Sequence, residues 1–93
     1  MAGMVGLNPE QIEQMAQQIK AQADAITDVI ARVTSQVNTN VPANWAGQDA
    51  QQFKGDWEGQ LRTSLQNVVN QLDQFATIAK TNVQKQREVS NSL

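Results

Sequence analysis

The fold is decided by a ten-residue break in the middle of the chain, which reads Asn38-Thr39-Asn40-Val41-Pro42-Ala43-Asn44-Trp45-Ala46-Gly47. The amides and Thr39 favour turns, while Pro42 cannot continue a helix and disfavours helix at the residue before it. Gly47 suits a backbone conformation or a close approach that a Cβ would forbid. Asp49 then favours the N-terminus of a new helix. We therefore predict a turn over residues 39–48.

An uninterrupted amphipathic pattern precedes this turn. Asn8 is suited to cap a helix, Pro9 tolerates the first helical position, and Glu10 complements the positive end of the helix dipole. Apolar residues then recur every seven positions, at Ile12, Ile19, Ile26 and Val33. Other apolar residues widen this row, namely Met15, Ala16, Ala23, Val29, Ile30 and Val37. The pattern predicts helix one over about residues 9–38.

A second apolar row follows the turn in steps of three and four: Ala50, Phe53, Trp57, Leu61, Leu65, Val68, Leu72, Phe75 and Ala79. It predicts helix two over about residues 49–86, with a flexible tail to residue 93 in which Ser90 to Leu93 fray. Gly55 and Gly59 lie inside this helix and each costs about 1 kcal/mol relative to Ala. Simple tolerance and close approach of another helix remain equally open explanations for them.

Two long helices with a short connection predict one all-α domain over residues 1–93, an antiparallel helix–turn–helix hairpin. Each apolar row is about three positions wide in seven, which is more than a single neighbouring helix covers. Because chains this small seldom build a sufficient core alone, we predict that two hairpins share a four-helix bundle. The predicted core of the bundle is Ile12, Met15, Ile19, Ile26, Ile30, Val33, Phe53, Trp57, Leu61, Leu65, Val68, Leu72 and Phe75.

The composition argues against catalysis and against several classes of ligand. The chain has Cys 0 and His 0, which removes the usual thiol nucleophile, the usual general base and most metal ligands. A net charge of −2 without a basic cluster does not favour nucleic acid. The polar faces lack the Lys/Arg richness of membrane-active helices, and no apolar run is long enough to span a bilayer. We predict a non-enzymatic protein without cofactor, catalytic residue, metal or stable membrane insertion.

A few polar residues allow two interpretations. Gln22, Gln36 and Asn40 fall in or near the helix-one row, where buried amides could fix the register, but we favour solvated positions at its edge. Lys80, Lys85 and Arg87 crowd the last turns of helix two. Their favourable interaction with the negative helix end explains them, and a docking role for the tail is the alternative.

The position of Trp45-x-Gly47 between two amphipathic helices, in a chain of 93 residues, resembles the WXG (WXG100) family of small type VII secretion substrates, relatives of the early secretory antigenic target. The resemblance covers the whole chain and includes Phe53 and Trp57 after the turn. It implies a hairpin that dimerises with itself or with a WXG-type paralogue. It also implies export to the extracellular space by an ATPase-driven type VII apparatus, without a cleavable signal peptide. The segment Met1 to Leu7 lacks the features of such a peptide.

The chain departs from the family at its C-terminus. Actinobacterial substrate pairs of this family usually carry a Tyr-x-x-x-Asp/Glu export signal just beyond helix two on at least one member, whereas this chain has Tyr 0. The corresponding stretch holds Lys85, Arg87, Glu88 and Val89, which we take as the recognition tail. Either a partner supplies the signal or the apparatus reads another feature. Because both helices of this chain carry a complete apolar row, we favour a homodimer that acts by binding proteins. The alternative is an intracellular structural helical adaptor.

Overall fold

The computed structural model describes residues 8–92, with the side chains of residues 8–89. Helix α1 spans Pro9–Asn40. The second helix is continuous and has three parts: α2 (Gln48–Asp56), a π-helical turn (Trp57–Leu61) and α3 (Arg62–Ser92). The two helices pack side by side along their length and form the predicted helical hairpin. No strand occurs within residues 8–92.

The helix boundaries differ from the predicted ones mainly at the C-terminus. Helix α1 runs two residues past the predicted end at 38, and the second helix begins at Gln48 instead of 49. The second helix also continues to Ser92, six residues past its predicted end at 86. Residues 87–92 contain no Gly or Pro, and Arg87 and Glu88 are good helix formers. The segment Met1 to Leu7 and Leu93 lie outside the described residues.

The N-terminus of α1 is capped as the sequence predicts. The Asn8 side-chain oxygen accepts a hydrogen bond from the Gln11 backbone N–H at 3.2 Å, and Pro9 occupies the first helical turn together with Glu10. This arrangement satisfies one of the free N–H groups at the start of the helix. The entry point of the hairpin is therefore specified locally.

The turn is organised by hydrogen bonds to Asn40. The backbone carbonyl of Asn40 accepts from the N–H groups of Asn44 and Trp45 at 2.8 and 2.9 Å, and its side-chain oxygen accepts from the Asn44 amide at 2.8 Å. Val41 is buried under the turn. Gly47 has φ 119° and ψ 179°, a backbone conformation that is essentially restricted to glycine. It allows the chain to enter α2 directly.

The buried row of α1 consists of small residues at heptad spacing. Ala16 and Ala23 are completely buried, and Ile30 and Val37 continue their row every seven residues. The predicted row of Ile12, Ile19, Ile26 and Val33 is instead half-buried and packs against the edge of the core. Alanine allows the two helix axes to approach closely, and a larger side chain at these positions would separate them. The residues that the sequence suggested as widening the row are therefore its centre.

The second helix contributes the other half of the core, and the core divides into two clusters. The cluster near the turn contains Ala23, Ile30, Val37, Val41, Ala50, Trp57 and Val69. The cluster toward the open end contains Ala16, Ala76 and Ala79. Every residue buried among those described is apolar.

The hairpin is a thin rod. It measures 68 × 17 × 16 Å and has a radius of gyration of 20.2 Å, whereas a compact domain of this length would have a radius of roughly 12 Å. Its accessible surface is 6816 Å², compared with about 5,300 Å² for a compact protein of the same mass. The isolated hairpin therefore exposes an unusually large surface for its size.

We predict that Gly47→Ala lowers the free energy of unfolding by about 1–3 kcal/mol, because the φ angle of residue 47 is unfavourable for alanine. The loss is conformational, since a Cβ at Gly47 meets nothing within 4 Å. Gly55→Ala is the matched control: its added Cβ also meets nothing within 4 Å, and helix propensity favours alanine there by up to about 1 kcal/mol. Urea denaturation followed by circular dichroism measures both changes. Equal stability of Gly47→Ala and the parent would contradict the prediction.

Candidate functional site

Trp57 is the tryptophan that belongs to the core. It is 6% exposed, and its indole N–H donates a hydrogen bond to the Thr34 hydroxyl at 3.0 Å. The Thr34 hydroxyl in turn donates to the Ile30 carbonyl one turn earlier at 2.7 Å. The polar atom of a large buried ring is thus satisfied without bringing a charge into the core. This chain of hydrogen bonds fixes the axial position of the second helix against α1.

A row of large apolar side chains on the second helix points away from α1. Phe53, Leu61, Val68 and Phe75 are between 41% and 51% exposed. Leu65 and Leu72 lie between this row and the buried row, and both are half-buried against the core. Four of the residues predicted for the core of a bundle are therefore exposed in a single hairpin. Their burial against a partner stays a prediction.

Helix α1 has a corresponding outward row. Ile26 and Val33 are half-buried against the core near the turn, and Val29 beside them is 50% exposed. Ile12, Met15 and Ile19 continue the same side of the helix toward the open end, where they pack against the second cluster. The second helix therefore carries a half-buried edge with an exposed apolar row beside it, whereas α1 carries a half-buried edge with Val29 as the exposed large apolar residue beside it.

The two outward rows lie on the same face of the hairpin. Lys20 and Asp73 each follow a buried residue, Ala16 and Val69, by four positions, and they contact each other across the helices at 3.0 Å. Residues that follow a buried residue by four positions, on either helix, therefore lie on the same face of the hairpin. Positions four before the buried rows, such as Ile26 and Leu65, share the opposite face because both helices are right-handed and antiparallel.

We call this second face the apolar face. It consists of Ile12, Met15, Ile19, Ile26, Val29 and Val33 from α1, and of Phe53, Leu61, Leu65, Val68, Leu72 and Phe75 from the second helix.

The other face of the hairpin carries ion pairs between the helices. Lys20 pairs with Asp73 at 3.0 Å and with Asp24 at 3.7 Å, and Arg87 pairs with Glu13 at 2.8 Å. The hydrogen bond to Asp73, together with the charges of Asp73 and Asp24, raises the pKa of Lys20 above its ordinary value. The Lys20 ammonium therefore stays charged at neutral pH and loses its charge as the pH rises through that pKa. Polar and apolar surfaces are thus segregated to opposite faces.

The turn motif lies at one end of this surface. Trp45 is 47% exposed, and its ring lies 5.9 Å from the Phe53 ring at an interplanar angle of 43°. The pair extends the apolar face to the tip of the hairpin. Gly47 contributes its backbone conformation and places α2, and with it Phe53, beside the turn.

The predicted recognition tail lies at the opposite end of the rod. Lys85, Glu88 and Val89 are exposed on α3, and Arg87 bridges to Glu13 near the start of α1. Val89 follows Phe75 by two heptads and so extends the row of Phe75 beyond Asn82. The structure therefore does not bring the tail and the Trp45-x-Gly47 motif together within one chain.

The remaining polar and glycine positions are open to solvent in the single hairpin. Gln22, Gln36 and Asn40 are exposed in the single hairpin, and their location at a solvated edge of the bundle stays a prediction. A Cβ at Gly55 or Gly59 would meet nothing within 4 Å, so α1 does not make a close approach at either glycine.

No group of three or more Asp, Glu, His or Cys side chains among residues 8–89 is arranged to hold a metal ion. None of the helices within residues 8–92 combines the length and the apolar character needed to cross a membrane.

We predict that Trp57→Phe lowers the free energy of unfolding by about 2 kcal/mol, because it removes a buried hydrogen bond and part of a buried ring. Trp45→Phe is the matched control, and it should change the free energy by less than about 0.5 kcal/mol because Trp45 is half exposed. Urea denaturation of both variants measures the difference. The assignment of Trp57 to the core is wrong if the two variants are equally stable.

Comparison with known proteins identifies a family match. A family model described as WXG100, proteins of 100 residues with WXG, matches residues 5–89. Neither a curated protein nor a solved structure matches the chain.

Proposed function

The chain belongs to the WXG100 family of small helical proteins associated with type VII secretion, and from this premise we propose that it is exported by a type VII apparatus and acts by binding as a homodimer. In this proposal two hairpins pack through their apolar faces into a four-helix bundle. The activity is protein–protein binding without catalysis. The apolar face is the single observation that carries the proposal.

The size of the exposed surface supports a permanent partner. The excess over a compact protein of this mass is on the order of 1,500 Å², and a stable interface buries about 800 Å² on each side. The apolar face is also larger than the scattered apolar residues of ordinary monomer surfaces. Packing a second pair of helices on it converts two thin rods into a bundle with a shared core.

The chemistry of the apolar face favours a second copy of the chain as the partner. The rows that form the face contain Gln22 and Gln36 but no charged residue, so a partner must offer an uncharged and mostly apolar surface. A second hairpin offers the same surface, and a two-fold axis through the face brings identical rows into contact. The charged groups of both copies remain on the outer, polar faces.

The proposal also assigns the C-terminal end of α3 to recognition by the secretion apparatus and its ATPase. Neither copy of a homodimer carries a tyrosine, so the export signal of this chain would be another feature of that end. Lys85, Glu88 and Val89 are exposed there and are accessible for such a contact. The helix continues through these positions, which presents their side chains in a defined geometry.

We expect Phe75→Asp to convert the dimer into a species with the 10.2 kDa mass of one chain, because burying a carboxylate in the shared core is unfavourable. Gln74→Asp is the matched control, since it introduces the same residue at the next, exposed position and should leave the mass unchanged. Light scattering after size exclusion measures both. A parent protein that is already monomeric would overturn the homodimer, as would a Phe75→Asp variant that stays dimeric.

We expect truncation after Gln84 to abolish export while helicity and dimer mass are retained, because Val83, the last buried residue among residues 8–89, is kept. The measurement is the fraction of protein in the culture supernatant of a host that carries a type VII apparatus. Glu13→Ala removes the same ion pair to Arg87 without altering the tail, and this control should be exported like the parent. Unchanged export of the truncated chain would refute the tail assignment, and retention of the parent in intact cells would favour an intracellular adaptor.

A further inference from the structure

The π-helical turn between α2 and α3 contains one residue more than an α-helical turn would. The Arg62 N–H donates its hydrogen bond to the Trp57 carbonyl, five residues back instead of four. Such turns are rare and occur mostly as single interruptions inside α-helices. Gly59 lies within the turn, and glycine is a weak α-helix former.

The spacing of the core-facing residues changes by one across this turn. On the N-terminal side, Ala50 and Trp57 are seven residues apart, and on the C-terminal side, Leu65 and Leu72 are also seven apart. Trp57 and Leu65, which flank the turn, are eight apart. The π turn accommodates this extra residue, and for that reason the core-facing residues on its two sides point toward α1 in the same direction.

The outward row has the same irregularity. Leu61, Val68 and Phe75 follow one another at intervals of seven, but Phe53 precedes Leu61 by eight. The π turn consequently aligns Phe53 with the row formed by the other three. Without it, Phe53 would be rotated by about 100° relative to that row.

An uninterrupted α-helix would put the wrong residues against α1. In a straight helix, the residues about three and five full turns before the buried Val69 are Glu58 and Gln51, which would replace Trp57 and Ala50 in the buried positions. Burial of an unpaired carboxylate and exposure of Trp57 are both unfavourable. The apolar pattern on the two sides of the turn therefore favours the π turn over a straight helix.

We infer that the π turn is a one-residue register insertion that keeps the apolar face continuous from Phe53 to Phe75, so that a second copy of this chain can pack along the whole hairpin. The inference rests on the proposed homodimer. If one residue were removed from the turn, a regular α-helix would place the core-facing residues of both segments on the same side. Removing one residue from the turn should then leave both the core and the apolar face intact.

The test compares deletions of one residue at two places. Deletion of Gln60, which is exposed within the turn, should give a straight α-helix with every core residue in place. Deletion of Gln74, which is exposed in α3, should displace either Leu65, Val69 and Leu72 or Ala76, Ala79 and Val83 from the core. We expect the first variant to melt at or above the parent temperature, and the second to melt roughly 10 °C or more below it.

Two further measurements make the outcome decisive. In a Trp45→Phe background, the tryptophan fluorescence comes from Trp57 alone. In the Gln60 deletion, acrylamide should quench this fluorescence as weakly as in the parent. Deletion of Gly59 is in the same phase as deletion of Gln60 and serves as a second variant. If both turn deletions melt as low as the Gln74 deletion, the inference is overturned.

The oligomeric state separates this inference from the proposed function. A parent that is monomeric by light scattering would refute the homodimer, while the melting temperatures would still test the register. A dimeric parent with a folded, monomeric Gln60 deletion would overturn the claim that the turn acts only by keeping the apolar face in phase. A dimer of unchanged mass for both turn deletions supports it.

Discussion

Burial of the Trp57 ring, with its indole N–H bonded to Thr34, is the interaction on which the register of the hairpin depends. Trp57 is the largest side chain in a core otherwise made mainly of alanine, valine and isoleucine. Its position determines how far the second helix slides along α1 and how far it rotates. The π turn then accommodates the residues that follow, so that Leu65 and Val69 reach the same core.

Small residues on α1 explain why the hairpin is thin and why its faces differ. Ala16 and Ala23 let the helices approach closely, and a close pair of helices buries only one narrow row on each. The larger residues on either side of that row remain partly exposed. On one side they are charged or hydroxylated and pair between helices, and on the other side they are apolar. Close packing at the centre thus creates the apolar face.

Much of the fold follows from local sequence signals, but the choice of the inner row does not. The cap at Asn8 and the turn around Pro42 and Gly47 are set by neighbouring residues, and the hairpin was predictable from them. On α1, however, both the alanine-containing row and the row of Ile12 and Ile19 repeat every seven residues. Hydrophobicity alone favours the isoleucine row, whereas the distance between the helices selects the alanine row.

The residues of the candidate site could be predicted from the sequence, but their alignment along the second helix could not. Phe53, Leu61, Val68 and Phe75 were all expected to be apolar contacts, yet their alignment depends on the π turn. The signal for that turn was present, because Phe53, Trp57, Leu61 and Leu65 follow one another in three consecutive steps of four. A regular α-helix alternates such steps with steps of three. The end of helix two could not be placed at one residue, since residues 84–89 contain neither Gly nor Pro and the run of Ser and Asn, which are weak helix formers, begins only at Ser90.

Folding and docking use some of the same side chains. Ile26, Val33, Leu65 and Leu72 pack against the core of one hairpin and also form the floor of the apolar face. A partner that covers the face would complete the burial of these four residues, so binding energy and folding energy are not independent. Stability of the hairpin should then depend on protein concentration, as for other proteins whose association is linked to folding. Because of the same coupling, a substitution in the outward row should change the stability of the single hairpin most when the substituted residue contacts one of these four shared residues.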